Sequence, residues 1–224
     1  MISYELQNRI LSSIIIIPIA IFFIFQGSTF FAFFLSIFFI ACSYEWIKMN
    51  KKDILKVIGV FYLFSASYSA YLLREKFSLG IFVLILIICI FTDLGGYIFG
   101  KTFKGPKLTK ISPKKTYAGA IGSFILSLIA AIIFTKYTNI GALAHANLSL
   151  WTGNNLESDN MFFLFILFIS TISQIGDLII SYFKRLAKVK DTGKLFPGHG
   201  GVLDRVDGII FAIPTSYLLF NFLI

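Results

Sequence analysis

The chain has 224 residues, of which 57% are hydrophobic, 17% aromatic and only 14% charged, with a formal net charge of +9. A water-facing globule carries nearer a quarter charged residues, so the composition excludes an ordinary soluble domain and implies an integral membrane protein. The positive charge does not point to nucleic acid, because its placement along the chain follows membrane topology.

A span of the hydrocarbon takes about 20 apolar residues at 1.5 Å each. Residues 10–44 hold no Asp, Glu, Lys or Arg and are long enough for two spans, with the polar "QGST" at 26–29 as the turn between them. Arg9 before this run resembles the start of a signal peptide. The run is too long, lacks a small-residue cleavage pattern and leads into further apolar segments, so a retained first helix is expected. More spans are predicted at 57–73, 78–99, 117–135, 161–183 and 206–223. The expected class is therefore an all-α polytopic membrane protein with about seven transmembrane helices, since a barrel would show short alternating segments. Pro18 and Pro214 fall inside spans and are expected to kink them. Cys42 and Cys89 lie in apolar runs and give no disulfide framework.

When the segments are assigned alternately to the two sides, one side receives 1–9, 44–56, 100–116 and 184–205. It holds every Lys and Arg except Arg74, Lys76 and Lys136. That asymmetry predicts a cytoplasmic N-terminus and a C-terminus outside. The first basic loop, "EWIKMNKKDILK", reads as a topology determinant in contact with anionic membrane lipids. The other two contain residues that charge alone does not explain.

Asp93 interrupts the fourth span in "FTDLGGYIFGK", and Asp177 interrupts the sixth in "ISQIGDLIISYFKR". A carboxylate within hydrocarbon is costly and marks a functional site by default. Both acids lie on the order of 10 Å below the cytoplasmic end of their helices, a matched depth that suits one cavity open to the cytoplasm. Ser173, Asp177 and Ser181 recur every four residues, and Lys184 continues that face. The loop "KDTGKLFPGHGGVLDRVDG" at 190–208 adds Asp204 and Asp207 at the entry of the last span. Glycines 198, 200 and 201 around His199 would let backbone amides approach an anion. Lys184, Arg185, Lys190, Lys194 and Arg205 surround the same loop. Hard carboxylates among many cations suit Mg²⁺ with a phosphate-rich ligand. Zinc is not expected, because the two histidines are separated and no cysteine is near.

The run Ser181 to Asp207 resembles the signature of the phosphatidate cytidylyltransferase (CDP-diacylglycerol synthase) family. The shared pattern is S-x-x-K-R, four residues, K-D-x-G, then P-G-H-G-G-x-x-D-R-x-D. "TDLGGYIFGKTFKG" and "SPKKT" are similar to two further segments of that family, so the resemblance covers residues 92–224. It departs at Ala118, where an acidic residue is usual, and at Gly96, where alanine is common.

The resemblance implies that CTP and phosphatidate give CDP-diacylglycerol and pyrophosphate, with Mg²⁺ and room for a second cation. It divides the chain into N-terminal transmembrane helices over 1–90 and a catalytic transmembrane region over 91–224, with cytoplasmic loops 100–116 and 184–205. Asp177, Asp204 and Asp207 are then expected to hold the metal, with Asp93 beside them. Lys184, Arg185, Lys190, Lys194 and Arg205 would neutralise phosphates, while Asp191, His199, Gly200 and Gly201 shape the loop around them. Ser112, Lys115 and Thr116 would form a second anion-binding corner. The expected partners are CTP, phosphatidate and membrane lipids, without nucleic acid, in a homodimer; the expected location is a bacterial inner membrane, crossed several times. A CTP-dependent kinase of a lipid alcohol is the neighbouring alternative. An ion-coupled transporter fits less well, because no acid cluster faces the outer side.

Overall fold

The computed structural model describes residues 4–109, 111–142, 155–193, 195 and 200–223. Its long helices are α1 (Tyr4–Gln26), α2 (Ser28–Met49), α3 (Asp53–Leu72), α4 (Leu79–Phe103), α5 (Tyr117–Tyr137), α6 (Asn155–Leu186) and α7 (Ile209–Leu223). A π-helical turn, Leu73–Phe77, follows α3, and a 3-10 turn, Leu203–Arg205, precedes α7. Among the described residues there is no strand, only an isolated bridge between Lys107 and Thr116.

Five of these helical stretches are long and apolar enough to cross a membrane: Ser28–Met49, Asp53–Phe77, Leu79–Phe103, Tyr117–Tyr137 and Asn160–Leu186. Two shorter apolar helices, Ile16–Gln26 and Ile209–Phe222, flank them. Large apolar side chains such as Phe61, Ile40, Phe33 and Ile121 stand exposed around the bundle, the surface that hydrocarbon rather than water would wet. The chain is accordingly an all-α membrane protein.

The turn expected at 26–29 is present. Gly27 takes φ +68°, a left-handed conformation open to glycine, and α2 starts at the next residue. Arg74 fastens this turn by donating to the carbonyls of Ile24 and Phe25 at 3.2 and 3.1 Å, while Glu75 accepts from the Ser28 amide at 2.7 Å. Pro18 and Pro214 do lie inside α1 and α7.

Three helices run past their predicted ends on the basic side. α2 continues to Met49, α4 to Phe103 and α6 to Leu186. The apolar pattern marks where hydrocarbon stops, whereas a helix persists as long as one face still packs. On α2 that face carries Trp46 and Met49, both buried. The Trp46 indole sits edge-on to Phe183 of α6 at 4.9 Å and donates to the Leu55 carbonyl at 2.8 Å. The last helix instead begins later than expected, because residues 203–208 form the 3-10 turn and a further turn.

The interior divides in two. One apolar cluster joins Phe31, Leu73, Ile81, Ile85, Ile166 and Phe220. The other joins Cys42, Trp46, Leu63, Ile180, Leu203 and Ile210 beneath the signature loop. Helices α4 and α5 pack most extensively, through glycines. A Cβ at Gly95 would strike the Gly122 carbonyl, so the two backbones touch as small-residue interfaces in membranes allow.

Candidate active site

The site begins on α6, where the four-residue spacing puts Asp177 and Ser181 on one face. Ser181 donates to Asp177 Oδ1 at 3.3 Å. Ser173, one step earlier on that face, is fully buried and faces Gly208. Asp207, also buried, carries its carboxyl within hydrogen-bond reach of Asp177 and accepts from the Gly208 amide at 2.9 Å. Asp93 of α4 lies within electrostatic range of both acids, at the exposed edge of the group. The two intramembrane acids of the sequence are thus brought together, with Asp207 as the innermost member.

The loop between α4 and α5 reaches the same acids. Leu108 donates to the Lys115 carbonyl at 2.8 Å and Tyr117 to the Pro106 carbonyl at 3.2 Å, closing a small hairpin. It turns Lys115 back toward α6, where its ammonium lies 2.5 Å from Asp177 Oδ2 and 3.4 Å from the Gln174 carbonyl. Thr116 is occupied otherwise, since its hydroxyl accepts from the Gly119 amide at 3.1 Å and caps α5. Ser112 is half-buried in the hairpin, its amide bonded to Thr109 Oγ1 at 3.2 Å. Of the three residues expected to form an anion corner, Lys115 is the one aimed at the acids.

Lys184, at the end of α6, pairs with Asp204 Oδ1 at 2.8 Å; both side chains are mostly buried. Asp204 Oδ2 accepts from the Thr192 amide at 2.8 Å, the Thr192 hydroxyl at 3.1 Å and the Gly201 amide at 3.1 Å. Both oxygens of Asp204 therefore already have protein donors. Among the described glycines of this loop, Gly201 gives its amide to the protein's own carboxylate. Gly200 takes φ +87°, and a Cβ at Gly201 would run into Thr192 Oγ1 and Glu45 Oε2, so conformation demands the first glycine and space the second.

Arg185, Lys190, Asp191 and Arg205 are exposed around this core. Lys194 and His199 lie outside the described residues. The sequence reading missed Glu45, which it placed within a basic topology loop. Glu45 is 1% exposed and accepts from Thr192 Oγ1 and from the Val202 and Leu203 amides, each at 2.9 Å. The signal for it was an acid between Tyr44 and Trp46 at the end of an uncharged run.

The arrangement juxtaposes acids and lysines drawn from α4, α6, the hairpin and the last turn. An ammonium group attracts phosphate as it does carboxylate, and clustered carboxylates repel one another unless a cation joins them. Among the described residues, no three acidic, histidine or cysteine side chains are arranged as a complete metal cage. An oxygen site of one or two carboxylates completed by substrate phosphates is the usual habit of Mg²⁺, and the Asp177 and Asp207 pair fits it.

Fold and site together define a helical membrane protein that gathers acids and lysines beside apolar surface. A family model described as the cytidylyltransferase family matches residues 51–223. A phosphatidate cytidylyltransferase of Rickettsia typhi is 34% identical over 216 residues, 93% of this chain and 89% of the relative. Proteins of the same name from Staphylococcus haemolyticus and Brucella melitensis are 40% and 39% identical, over 57% and 71% of this chain and 44% and 54% of their own length. The chain belongs to the cytidylyltransferase family and is a nucleotidyltransferase.

Proposed function

We infer that the chain transfers the cytidylyl group of CTP to phosphatidate, giving CDP-diacylglycerol for phospholipid synthesis and releasing pyrophosphate. An oxygen of the lipid phosphate attacks the α-phosphorus of CTP. The new phosphorus–oxygen bond forms as the bond to the β-phosphate breaks, and pyrophosphate leaves with the electron pair. The nucleophile is already ionised at neutral pH, so no general base is required. What the protein must supply is relief of repulsion between two anions, in-line positioning and stabilisation of the departing charge.

The observation that carries this reading is that two separate signature segments bring lysines to neighbouring acids: Lys115 pairs with Asp177, and Lys184, paired with Asp204, lies within electrostatic range of Asp177 and Asp207. Lys184 and Lys115 would exchange their carboxylate partners in part for phosphate oxygens. Arg185, Lys190 and Arg205 would draw in the triphosphate. Mg²⁺ would be held by Asp177 and Asp207, with Asp93 at the edge, and would offset phosphate charge. Asp204, with its oxygens engaged by protein donors, would act by orienting Lys184.

The same reading extends to topology. Seven membrane-crossing helices, with the N-terminus in the cytoplasm and the C-terminus outside, are supported by the one-sided distribution of Lys and Arg and put the nucleotide on the cytoplasmic side. A bacterial inner membrane and a homodimer complete the proposal. Purified protein in mixed micelles with phosphatidate, Mg²⁺ and CTP should yield CDP-diacylglycerol and pyrophosphate in equal amounts. CDP among the products, with a phosphorylated lipid alcohol when an alcohol replaces phosphatidate, would replace this reading with the kinase.

A further inference from the structure

Glu45 is a buried acid with three donors, none of them a Lys or Arg, and it is contributed by a helix outside the signature. Its carboxylate touches both ends of the signature loop. Thr192 donates from the entering stretch of chain, and the Val202 and Leu203 amides donate from the leaving one. Two signature glycines are cleared for this one group, since a Cβ at Gly193 or at Gly201 would meet the Glu45 carboxylate. The Thr192 hydroxyl lies 2.9 Å from Glu45 Oε2 and 3.1 Å from Asp204 Oδ2. A hydroxyl has one proton to donate, so it serves one carboxylate at a time, while each carboxylate keeps backbone donors of its own. The chain of contacts then runs from Glu45 through Thr192 to Asp204 and on to Lys184.

We propose that Glu45 is a positioning residue for nucleotidyl transfer: it clamps residues 192–193 to residues 201–203 and thereby fixes Asp204, which holds Lys184 against the acid cluster. This deepens the reaction assigned above and rests on it. A buried carboxylate satisfied by backbone amides sets a loop more sharply than apolar packing, because hydrogen bonds to a charged acceptor are short and directional. The clamp also explains why α2 runs on past the apolar segment: its last turn delivers Glu45 and Trp46 beneath the loop.

The test compares wild type, Glu45→Gln, Thr192→Val, Thr192→Ser and the Glu45→Gln/Thr192→Val double variant, each taken as the monodisperse fraction in micelles. The readouts are kcat and KM for CTP and phosphatidate, and amide exchange over residues 200–208. Glu45→Gln and Thr192→Val should each lower kcat by roughly 10- to 100-fold, the range typical of groups that orient a reacting shell. The KM for phosphatidate should stay unchanged, Thr192→Ser should restore the rate, and the double variant should be no slower than Glu45→Gln alone. Exchange at residues 200–208 should quicken in both single variants. A purely structural role would lower the yield of folded protein and leave kcat at its wild-type value, and that outcome overturns the proposal. If Glu45→Gln does not fold, Thr192→Val decides by the same readouts. Exchange unchanged in the variants overturns the clamp whatever the activity, whereas a wild type that makes no CDP-diacylglycerol contradicts the reaction instead.

Discussion

The two halves of the helix bundle use the same helices for opposite purposes. Around Ile81, Ile85, Ile166 and Phe220 the interior is nearly all hydrocarbon, and the polar groups there close on each other: Thr92 with Ser170 at 2.7 Å, and Ser123 with the Thr92 carbonyl at 2.7 Å. On the same helices Asp93 directly follows Thr92 in α4 and Asp177 comes seven residues after Ser170 in α6, and there charged groups replace apolar ones. In the first half each of these polar groups is satisfied within the bundle and packing fixes the helices. In the second, carboxylates crowd together and are balanced by Lys115 and Lys184, which phosphate would also attract. The first half supplies rigidity and the second supplies charge, so substitutions in the two halves should separate cleanly between stability and kinetics.

The largest effect should come from Asp207→Asn. It keeps the shape of the buried side chain and removes one of the two carboxyl groups that would hold Mg²⁺, so turnover should fall on the order of 1,000-fold in folded protein, the scale of a lost preorganised electrostatic group. Initial rates over a Mg²⁺ titration check this, since the variant should also need more Mg²⁺. Lys184→Met comes next, with a loss of about 100-fold in kcat. It also leaves Asp204 without its cation, so a drop in thermal midpoint should accompany the kinetic loss. Lys115→Ala should act chiefly on binding, raising the KM for one or both substrates roughly tenfold or more, as expected for one charge-assisted hydrogen bond. The smallest kinetic effect belongs to the apolar half. Ile85→Val should cost about 0.5–1.5 kcal/mol of stability and leave kcat and both KM values at wild type. A kinetic change there would break the division between the halves.

Much of this was legible in the sequence, and what was missed has a physical explanation. Hydrocarbon length placed the apolar segments, and the polar residues 26–29 placed the turn at Gly27, because the bilayer sets how long an apolar run must be. Asp93 and Asp177 announced themselves as acids where water is scarce, and their matched depth anticipated their meeting. The residues Asp204, Gly200 and Gly201 were picked out by pattern, and in the structure Gly201 gives its amide to Asp204 inside the protein. No spacing rule predicts that, since the contact depends on how the loop folds back. Thr116 shows the same difficulty, because a threonine before a helix serves as a cap as readily as an anion donor. Glu45 was hidden for another reason. It lies far along the chain from the loop it holds, and the lysines around it gave the segment an ordinary meaning. Long-range contacts between a helix end and a distant loop are set by tertiary packing, which a local reading does not reach.

The sharpest test is the transfer of label from α-labelled CTP into the lipid phase by wild type and by Asp177→Asn, in mixed micelles of phosphatidate and Mg²⁺. Asp177 touches Lys115, lies beside Asp207 and is bonded to Ser181, so it is the centre on which both signature segments meet. Wild type should give lipid-borne label and stoichiometric pyrophosphate, and a folded Asp177→Asn no more than background. Label transfer by Asp177→Asn at a rate near wild type would contradict the role of the acid cluster.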